Sequence, residues 1–347
     1  MKVSHTVLQS RIKELLIAVG ENTENAETAS YYMMLCDARG VTTHGSHMMN
    51  PICDRRAVGQ LNFPTRLETL VDEDALTLID GNDGLGQVAA NYACELVARK
   101  ARKSGIATVM LRNTNNVGAL GPYVEKLARQ GLVAFMCCNA SPAMAPWGGM
   151  EQFMGTQPFA VGIYTGNDTV FSADMATANV ARGKIRKALR EGQSIPDTWA
   201  LDKDGKATTD PKAAIEGIVL PMGGPKGSAI ALTIDIIAGM LSGSNYAPNV
   251  KAIHYPEGKA GIGVSIIAVD IAHFMPLVEF EEKIQAYMES IRTMKKADGV
   301  DRIFIPGEIE QTRIKNSIAE GIELTDTAIN AFNERLKAYS LAPLTAL

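Results

Sequence analysis

The chain has 347 residues, of which 46% are hydrophobic and 21% are charged, a balance typical of a globular protein rather than a disordered or fibrous one. Its length predicts two or three subdomains. The formal net charge of −4 excludes a large basic surface, so nucleic acid and anionic membranes are not expected partners.

The first 75 residues are predicted to be mainly helical. Apolar residues recur at helical spacing over 7–19, and Gly20 marks a plausible end. Thr23–Ala38 predicts a second amphipathic helix, which leads into the polar loop TTHGSH at 42–47. A short strand is expected at 75–79, before a glycine-rich turn.

Helices and strands then alternate, which predicts an α/β core with helical material at both ends of the chain. Strands are predicted at 106–111, 132–138, 159–164, 170–174 and 263–270. Helices are predicted at 87–104, 123–130, 179–191, 227–241, 280–295 and 326–339. The last two helices flank a segment at 303–311 to which no element is assigned.

Cysteine usage indicates a reducing compartment. The five cysteines are odd in number, none forms a C-x-x-C pair, and the N-terminal sequence reads as an amphipathic helix rather than a secretory signal. We therefore expect free thiols in a cytoplasmic protein. Cys137 and Cys138 are expected to be core thiols on opposite faces of one strand.

A Rossmann dinucleotide fingerprint is missing. Gly81, Gly84 and Gly86 precede a helix, but their spacing does not match G-x-G-x-x-G. No phosphate-binding loop of the Walker type is present either. The pattern of elements alone therefore indicates an α/β enzyme without specifying its chemistry.

His44 is the first candidate for chemistry. It lies beside Gly45 in a polar loop, where an imidazole can donate or accept a proton near neutral pH. A solvated loop histidine would have the same pattern. His47 follows at i+3, but no further ligands complete a metal site, so none is predicted.

Two other loops suit ligand binding. Asn113, Asn115 and Asn116 follow a strand and can hydrogen-bond a carbonyl or hydroxyl group, although asparagines also simply make turns. The segment 223–227 (GGPKG) opens an apolar helix, and its backbone N–H groups with Lys226 form a natural phosphate cradle. The four residues Gly-Pro-Lys-Gly at 224–227 could equally be a generic turn.

Taken together, these segments resemble the malate/L-lactate dehydrogenase family that is unrelated to the Rossmann dehydrogenases. The family includes ureidoglycolate and sulfolactate dehydrogenases, diketogulonate reductase and cyclic imine reductases. The resemblance is carried, in the family's order, by DARGVTTHGS at 37–46, DGNDGLGQVAA at 80–90, NTNNVGALGPY at 113–123, APWGG at 145–149, GTQPFA at 155–160, DMAT at 174–177, IPDTWALDKDGKATTDP at 195–211, GGPKGSA at 223–229 and IPGEIE at 305–310. The segment 195–211 is most similar to the ureidoglycolate dehydrogenase branch.

The resemblance implies an α/β, non-Rossmann, sulfolactate-dehydrogenase-like fold in which a mixed β-sheet forms the cofactor domain. It implies a helical substrate-side domain at 1–75, joined by the C-terminal helices at 280–347, and an NAD(P)-binding core at 76–279. It also implies a homodimer with the active site near the interface.

The resemblance assigns roles by position. His44 matches the family histidine that gives a proton to the substrate oxygen, with Thr43, His47 and Met48 as substrate-side neighbours. The expected cofactor-binding residues are Asn139, Ala140, Asp174, Met175, Ala176, Lys226, Gly227, Pro306, Gly307 and Glu308. A cationic imidazole at 44 would both polarise a carbonyl and deliver the proton that the product alkoxide needs.

Three positions depart from the family pattern. Asn116 stands where a second catalytic histidine is common, and it can hold a hydrogen bond but cannot shuttle a proton. Met48 stands where an arginine is expected to bind the substrate carboxylate. Gln157 replaces a common asparagine. The candidates for the missing cation are Arg39, Arg55, Arg56 and His47, among which the sequence does not choose.

The sequence therefore predicts an oxidoreductase that transfers a hydride between NAD(P)H and a small 2-oxo or 2-hydroxy acid, such as a ureidoglycolate-, malate- or lactate-like one. NAD is slightly preferred over NADP, because of the ureidoglycolate-like segment. Two alternatives stay open: a reductase of a cyclic or open imino acid, and a catalytically weak nucleotide-binding relative.

Overall fold

The computed structural model describes residues 1–255 and 257–347. The helices are α1 His5–Ala18, α2 Thr23–Ala38, α3 Met49–Ala57, α4 Gly86–Ser104, α5 Gly121–Ala128, α6 Arg182–Glu191, α7 Pro211–Glu216, α8 Pro225–Ile234, α9 Leu277–Arg292, α10 Glu308–Glu320 and α11 Asp326–Ala338. The strands are β1 Lys2–Val3, β2 Glu68–Asp72, β3 Leu76–Asp80, β4 Ile106–Thr114, β5 Leu132–Cys138, β6 Phe159–Ile163, β7 Phe171–Met175, β8 Ala200–Leu201, β9 Ile218–Val219, β10 Ile262–Asp270 and β11 Ile322–Glu323.

The main sheet has seven strands in the order β2-β3-β4-β10-β5-β6-β7. Only β3 and β4 run parallel to each other, and the remaining neighbours are antiparallel. The predicted mixed sheet is therefore confirmed. A doubly wound Rossmann sheet is mostly parallel and binds its ligand where the strand order reverses, so this topology excludes that fold.

The polar loops between the strands lie at one end of this sheet. The register pairs Thr114 with Ile262, Cys138 with Val264, and Phe159 with Met175. The chain therefore leaves β4, β5 and β7, and enters β10 and β6, at the same end. We call it the loop end of the sheet.

The helices on the sheet are held by small residues. The buried side of α4 is rich in alanine, which permits close packing on β4 and β10. At the other contact, a β-carbon added to Gly162 of β6 would lie 2.3 Å from the carbonyl oxygen of Val124 in α5. Helix α5 thus approaches the sheet more closely than any side chain at 162 would allow.

The N- and C-terminal parts of the chain share one apolar core. Leu8, Ile12 and Leu16 of α1 pack in the same buried cluster as Phe332 and Leu336 of α11. Strand β1 also pairs with β11, so the two termini are joined by backbone hydrogen bonds. A further apolar cluster lies within 144–247, around the small β8–β9 pair.

Most predicted elements are confirmed. Strand β5 has the predicted bounds, and α4 differs by one residue from its prediction. The predicted helix at 227–241 is α8 followed by a π-helical segment, Asp235–Met240. The elements that were not predicted are the helices α3, α7 and α10, the strand β2 and the two-residue strands β1, β8, β9 and β11.

Candidate active site

His44 ends a short 3-10 turn, Thr42–His44, that follows α2. Its Nδ1 atom lies 2.9 Å from the Thr43 hydroxyl oxygen, which leaves Nε2 as the ring nitrogen for a substrate. The side chain is half-buried. Burial and then the nearby His254 lower the pKa of His44 below the ordinary value of 6.5. The neutral, proton-accepting form of the imidazole is therefore favoured more than in a free histidine, whereas the family resemblance led us to expect a cationic ring.

The carboxyl group of Asp37 lies beneath the His44 loop. Its Oδ2 accepts a hydrogen bond of 2.8 Å from the Ser46 N–H, while Oδ1 is buried without a hydrogen bond to the described residues. Burial raises the pKa of Asp37 to about 7, against the lowering effect of Ser46. A β-carbon on Gly45 would lie 2.0 Å from Oδ1, so only glycine allows the loop to pack this closely against the Asp37 carboxyl group.

The asparagine loop runs beside the backbone of His44. A β-carbon on Gly118 would lie 3.9 Å from the His44 carbonyl oxygen. Asn115 is buried and donates to the carbonyl oxygens of Asp83 and Gly84, so it fixes the glycine turn. Asn116 is half-buried, and its Oδ1 accepts from the Gly118 N–H at 2.8 Å. Asn116 is thus held in a turn next to His44, with its amide nitrogen left as a donor.

Asp174 is at the end of β7, on the same side as these loops. Its Oδ2 accepts a hydrogen bond of 2.7 Å from the Gly121 N–H, and a β-carbon on Gly121 would meet both this oxygen and the Arg39 guanidinium. The Asp174 side chain is accessible to solvent on one side, while many protein atoms lie close to its carboxyl group. Burial among these atoms raises the pKa of Asp174, although the hydrogen bond from Gly121 and the charge of Arg39 lower it. Of its neighbours, Met175 is exposed and Ala176 is half-buried.

Asn139 and Ala140 follow β5 at the loop end of the sheet. Asn139 is buried and bonds at both ends of its amide, donating to the Asn245 carbonyl oxygen and accepting from the Gly263 N–H. The N–H of Ala140 donates to the Gln157 side chain at 2.6 Å. Gln157 in turn donates to Asp235 at 2.8 Å. Gln157, which replaces the asparagine common in the family, therefore has a structural role, because its buried side chain connects Ala140 to Asp235.

Lys226 and Gly227 lie in the first turn of α8. Lys226 is exposed, whereas Gly227 is buried and a β-carbon on it would lie 2.0 Å from the Met222 carbonyl oxygen. A cavity of about 470 Å³ opens beside Gly223 and Gly224 and is also lined by Asn179, just beyond the end of β7. The structure thus brings the predicted phosphate cradle next to the segment that follows β7.

The segment at 306–308 lies along the outer edge of β7. The Pro306 carbonyl oxygen accepts a hydrogen bond from the Ser172 N–H, and Gly307 has a φ of 93°, in the left-handed region that favours glycine. Glu308 is buried. Both of its oxygens are engaged, by Arg292 and Arg302 and by the Ile305 N–H. Burial acts to raise the pKa of Glu308, but these donors outweigh it and hold that pKa low.

The structure places Met48 away from this cleft. It is 2% exposed and packs in the helical core, so we leave it out of the proposed substrate site. Arg39 is buried and paired with Glu125 at 2.7 Å. Arg55 donates to the carbonyl oxygens of Tyr255 and Gly258, and Arg56 to that of Val19. Among the four candidate cations, His47 alone is exposed.

Other features do not point to a second centre. A cavity of about 720 Å³ is lined by Arg39 and Glu125 but not by His44, Asn116 or Asp174. Within 1–255 and 257–347, no three histidine, cysteine, aspartate or glutamate side chains are grouped as metal ligands. In the same ranges, no helix has the length and apolarity that crossing a membrane requires. All five cysteines are buried free thiols, as expected for Cys137 and Cys138.

Comparison with known proteins identifies the family. A sequence model described as malate/L-lactate dehydrogenase matches residues 3–333. The chain belongs to this family. The L-sulfolactate dehydrogenase of Methanocaldococcus jannaschii is 37% identical over 93% of this chain and 94% of its own. Its solved structure superposes with a TM-score of 0.94 at 35% identity and covers 98% of each chain.

Two more distant members of the malate/L-lactate dehydrogenase family differ in the cofactor that their names give. The ureidoglycolate dehydrogenase (NAD(+)) of Escherichia coli is 30% identical over 94% of this chain and 93% of its own. The (2R)-3-sulfolactate dehydrogenase (NADP(+)) of Chromohalobacter salexigens is 30% identical over 94% of each. The sulfolactate relative of Methanocaldococcus is thus more similar than the ureidoglycolate branch that the segment 195–211 suggested.

These matches confirm the predicted family, the non-Rossmann α/β fold and the class of the protein, an oxidoreductase. Sequence reasoning missed two kinds of residue around His44. Asp37 was inside the quoted motif, but nothing in the sequence distinguished it from a surface carboxylate. His254 and Arg186 come from distant segments with no motif of their own.

Proposed function

We propose that this chain transfers a hydride between a nicotinamide dinucleotide and carbon 2 of a small 2-hydroxy or 2-oxo acid, with His44 as the acid/base. The observation that carries this proposal is the arrangement at the loop end of the sheet. There a half-buried imidazole, held at Nδ1 by Thr43, lies beside the Asn116 turn and near the strand end that carries Asp174. Family membership supports it.

The donor set fits a dinucleotide. Lys226 and the N–H groups that open α8 suit a phosphate, and the adjacent cavity extends toward the segment that follows Asp174. Met175, Ala176 and Pro306 would line the same binding surface, with Gly307 permitting close approach. Asn139 and Glu308, whose polar atoms are engaged within the protein, would shape the site rather than contact the ligand.

A bound nicotinamide supplies the hydride donor or acceptor. In oxidation, His44 Nε2 accepts the proton of the substrate hydroxyl as the C–H bond breaks, and in reduction it returns that proton to the oxygen. The lowered pKa of His44 favours the proton-accepting form at neutral pH. Asn116 can orient the substrate oxygen through its free amide nitrogen but moves no proton.

Replacing His44 tests the proposal. The change H44A should lower kcat on the order of 100-fold while NADH binding stays nearly intact, because the imidazole acts on the substrate oxygen rather than on the cofactor. The assay follows nicotinamide absorbance with both NADH and NADPH and a panel of pyruvate, oxaloacetate, sulfopyruvate and oxalurate. Unchanged turnover would remove His44 from the mechanism.

The pH dependence gives a second readout. With the wild-type enzyme, kcat/KM for oxidation should rise with pH and level off above an apparent pKa below 6.5, because only the neutral imidazole accepts a proton. H44A should lose this limb.

An imino acid is the second candidate substrate. Because Asn116 replaces the second histidine of the family, His44 is the one catalytic imidazole that we propose. A protonated imine already has its proton on nitrogen and needs no acid there. Reduction of such a substrate would therefore not require the second histidine. Including Δ1-pyrroline-2-carboxylate in the panel separates the two. A protein that binds NADH but reduces no member of the panel would instead be a catalytically weak relative.

We further propose NAD as the preferred cofactor, a homodimer and a cytoplasmic location. The ureidoglycolate-like segment 195–211 supports NAD, and the ratio of kcat/KM for NADH to that for NADPH tests it. The five buried thiols suit a reducing compartment.

A further inference from the structure

Two further imidazole side chains, His47 and His254, lie near His44. The imidazole rings of His47 and His254 lie with their centroids 6.0 Å apart. His254 is close enough to His44 to lower the pKa of that histidine. The backbone around His254 is fixed, because buried Arg55 of α3 donates to the carbonyl oxygens of Tyr255 and Gly258 at 2.7 Å each. His254 is therefore held close to both His44 and His47.

Helix α6 brings arginines to the same place. Burial, then His47 and then Arg186 lower the pKa of His254, so the Arg186 guanidinium approaches this ring. Arg182, one turn earlier, is close to Tyr255 and to Arg186. The first turn of α6 contains no acidic residue, although cations near a helix N-terminus are unfavourable.

This group of side chains has no acidic partner among the described residues. None of the ion pairs between side chains of the described ranges involves Arg182, Arg186, His47 or His254, whereas Lys187 of the same helix pairs with Glu191. The lowered pKa of His254 favours its neutral form while no anion is bound. A bound anion would stabilise the protonated ring beside the Arg186 guanidinium, so an unpaired guanidinium grouped with two imidazoles indicates a binding site for an anion.

We infer that His47, His254 and Arg186 form a clamp for a second anionic group of the substrate, a carboxylate or a sulfonate at the end remote from the reacting carbon. This inference rests on the proposed function. The three side chains come from three separate segments, and the His47 and His254 ring centroids are 6.0 Å apart, so the group offers donors for an anion besides the His44 imidazole. Arg186 supplies positive charge that the buried Met48 cannot.

The test compares substrates with and without the second charge. For the wild-type enzyme, kcat/KM for oxaloacetate and sulfopyruvate should exceed that for 2-oxobutanoate by at least 10-fold. The variants R186Q and H254Q should lower this ratio about 10-fold or more, through KM rather than kcat. The matched control K187Q removes an equal charge from an exposed neighbour that is already ion-paired, and should keep the ratio within two-fold. A ratio that R186Q and H254Q leave unchanged, or an equal loss for both substrate classes, would overturn the clamp.

A cofactor phosphate is the other anion that could lie here. The Kd of NADPH and of NADH should therefore change less than two-fold in R186Q and H254Q. If these variants weaken NADPH and spare the substrate ratio, the cluster binds the cofactor and the inference is wrong.

A binding measurement separates this inference from the proposed function. Malonate, a dianion, should bind the wild-type protein in calorimetry, and R186Q and H254Q should weaken it at least 10-fold, whereas propionate should show no such dependence. If R186Q and H254Q weaken malonate binding but the wild-type protein reduces no oxo acid, the proposed function is wrong and the clamp is still supported. Malonate binding that ignores both substitutions would refute the clamp whatever the activity.

Discussion

At the scale of single residues, Asp37 connects the His44 loop to the protein interior. Its carboxyl group is almost fully buried, with one oxygen on the Ser46 N–H and the other without a hydrogen bond to the described residues. Burial disfavours the charged form, and the pKa rises from 3.8 to about 7. Because the folded pKa lies above the unfolded one, the protonated form is the one that folding favours.

The stability contribution of Asp37 therefore depends on pH. Protonated Asp37 is compatible with the fold below about pH 4, and the cost of its charge grows as pH rises toward 7 and is fully present above that. The change D37N removes this cost while keeping an oxygen for the Ser46 N–H. The Tm of D37N relative to wild type should thus be higher at pH 8 than at pH 5, as differential scanning calorimetry can measure.

Asp74 provides the control for this experiment. It is exposed and paired with Lys103 at 2.8 Å, and this hydrogen bond lowers its pKa. Asp74 is charged in both folded and unfolded states between pH 5 and 8, so D74N should shift Tm by the same amount at both. A D37N shift that is equally independent of pH would show that Asp37 is charged in the folded protein.

At the scale of elements, the contact between α5 and β6 depends on Gly162. A β-carbon there would lie 2.3 Å from a backbone oxygen of α5, which no side-chain rotation relieves. G162A should therefore destabilise the protein by about 2–4 kcal/mol, toward or beyond the upper end of the usual range for overpacking. The midpoint of urea unfolding measures this loss.

Gly183 is the matched glycine for comparison. It lies in α6, and a β-carbon on it would meet nothing within 4 Å. G183A should be neutral or stabilise by about 0.5–1 kcal/mol, because alanine favours the helix. If both substitutions had the same effect, close approach of the backbone would not be the reason for glycine at 162.

How much of each element could be predicted depends on where its apolar residues lie. Helix α4 has a continuous buried face, so its spacing predicts it. Helix α10 was missed because its buried residues are Glu308 and Gln311, which leave no apolar stripe. Strand β2 was missed because all five of its residues are exposed. Periodicity detects burial of apolar side chains and has no signal for elements held by polar contacts.

The site was predictable to the extent that it is local in sequence. The His44 loop and the Asn116 turn each follow an element of recognisable pattern, and family resemblance placed them together. The approach of His254 to His47 could not be predicted, because it depends on Arg55 binding the backbone of a distant segment. Likewise, nothing local indicates that Met48 faces the core rather than the cleft.

At the scale of the whole molecule, the outer side of α8 and its π-helical extension is apolar and exposed. Ile236, Met240 and Leu241 are 52%, 47% and 66% exposed. Burying such side chains against a second copy would contribute roughly 1.5–3 kcal/mol each. In a two-fold dimer, L241E places two carboxylates in the interface, and sedimentation should show a monomer where the wild type is a dimer.

Val278 of α9 is the control for this substitution, because it is also 66% exposed and helical. V278E should leave the assembly unchanged. A wild-type protein that sediments as a monomer, or an L241E variant that still dimerises, would contradict the proposed interface.

The division into 1–75 with 280–347, and 76–279, stays a proposal with one adjustment. Tyr164 and Gln285 connect the turn between β6 and β7 to α9, so this helix packs with the sheet. Helix α11 packs on α3 and belongs with the N-terminal part. We therefore propose that the boundary falls after α9.

The position of β10 has a consequence for biosynthesis. This strand lies between β4 and β5, yet the ribosome makes it more than a hundred residues after them. A nascent chain that ends before 262 has two long apolar strands whose shared partner does not yet exist. The sheet is therefore completed late through contacts of high sequence separation, which predicts slow folding and dependence on chaperones while those strand edges are open.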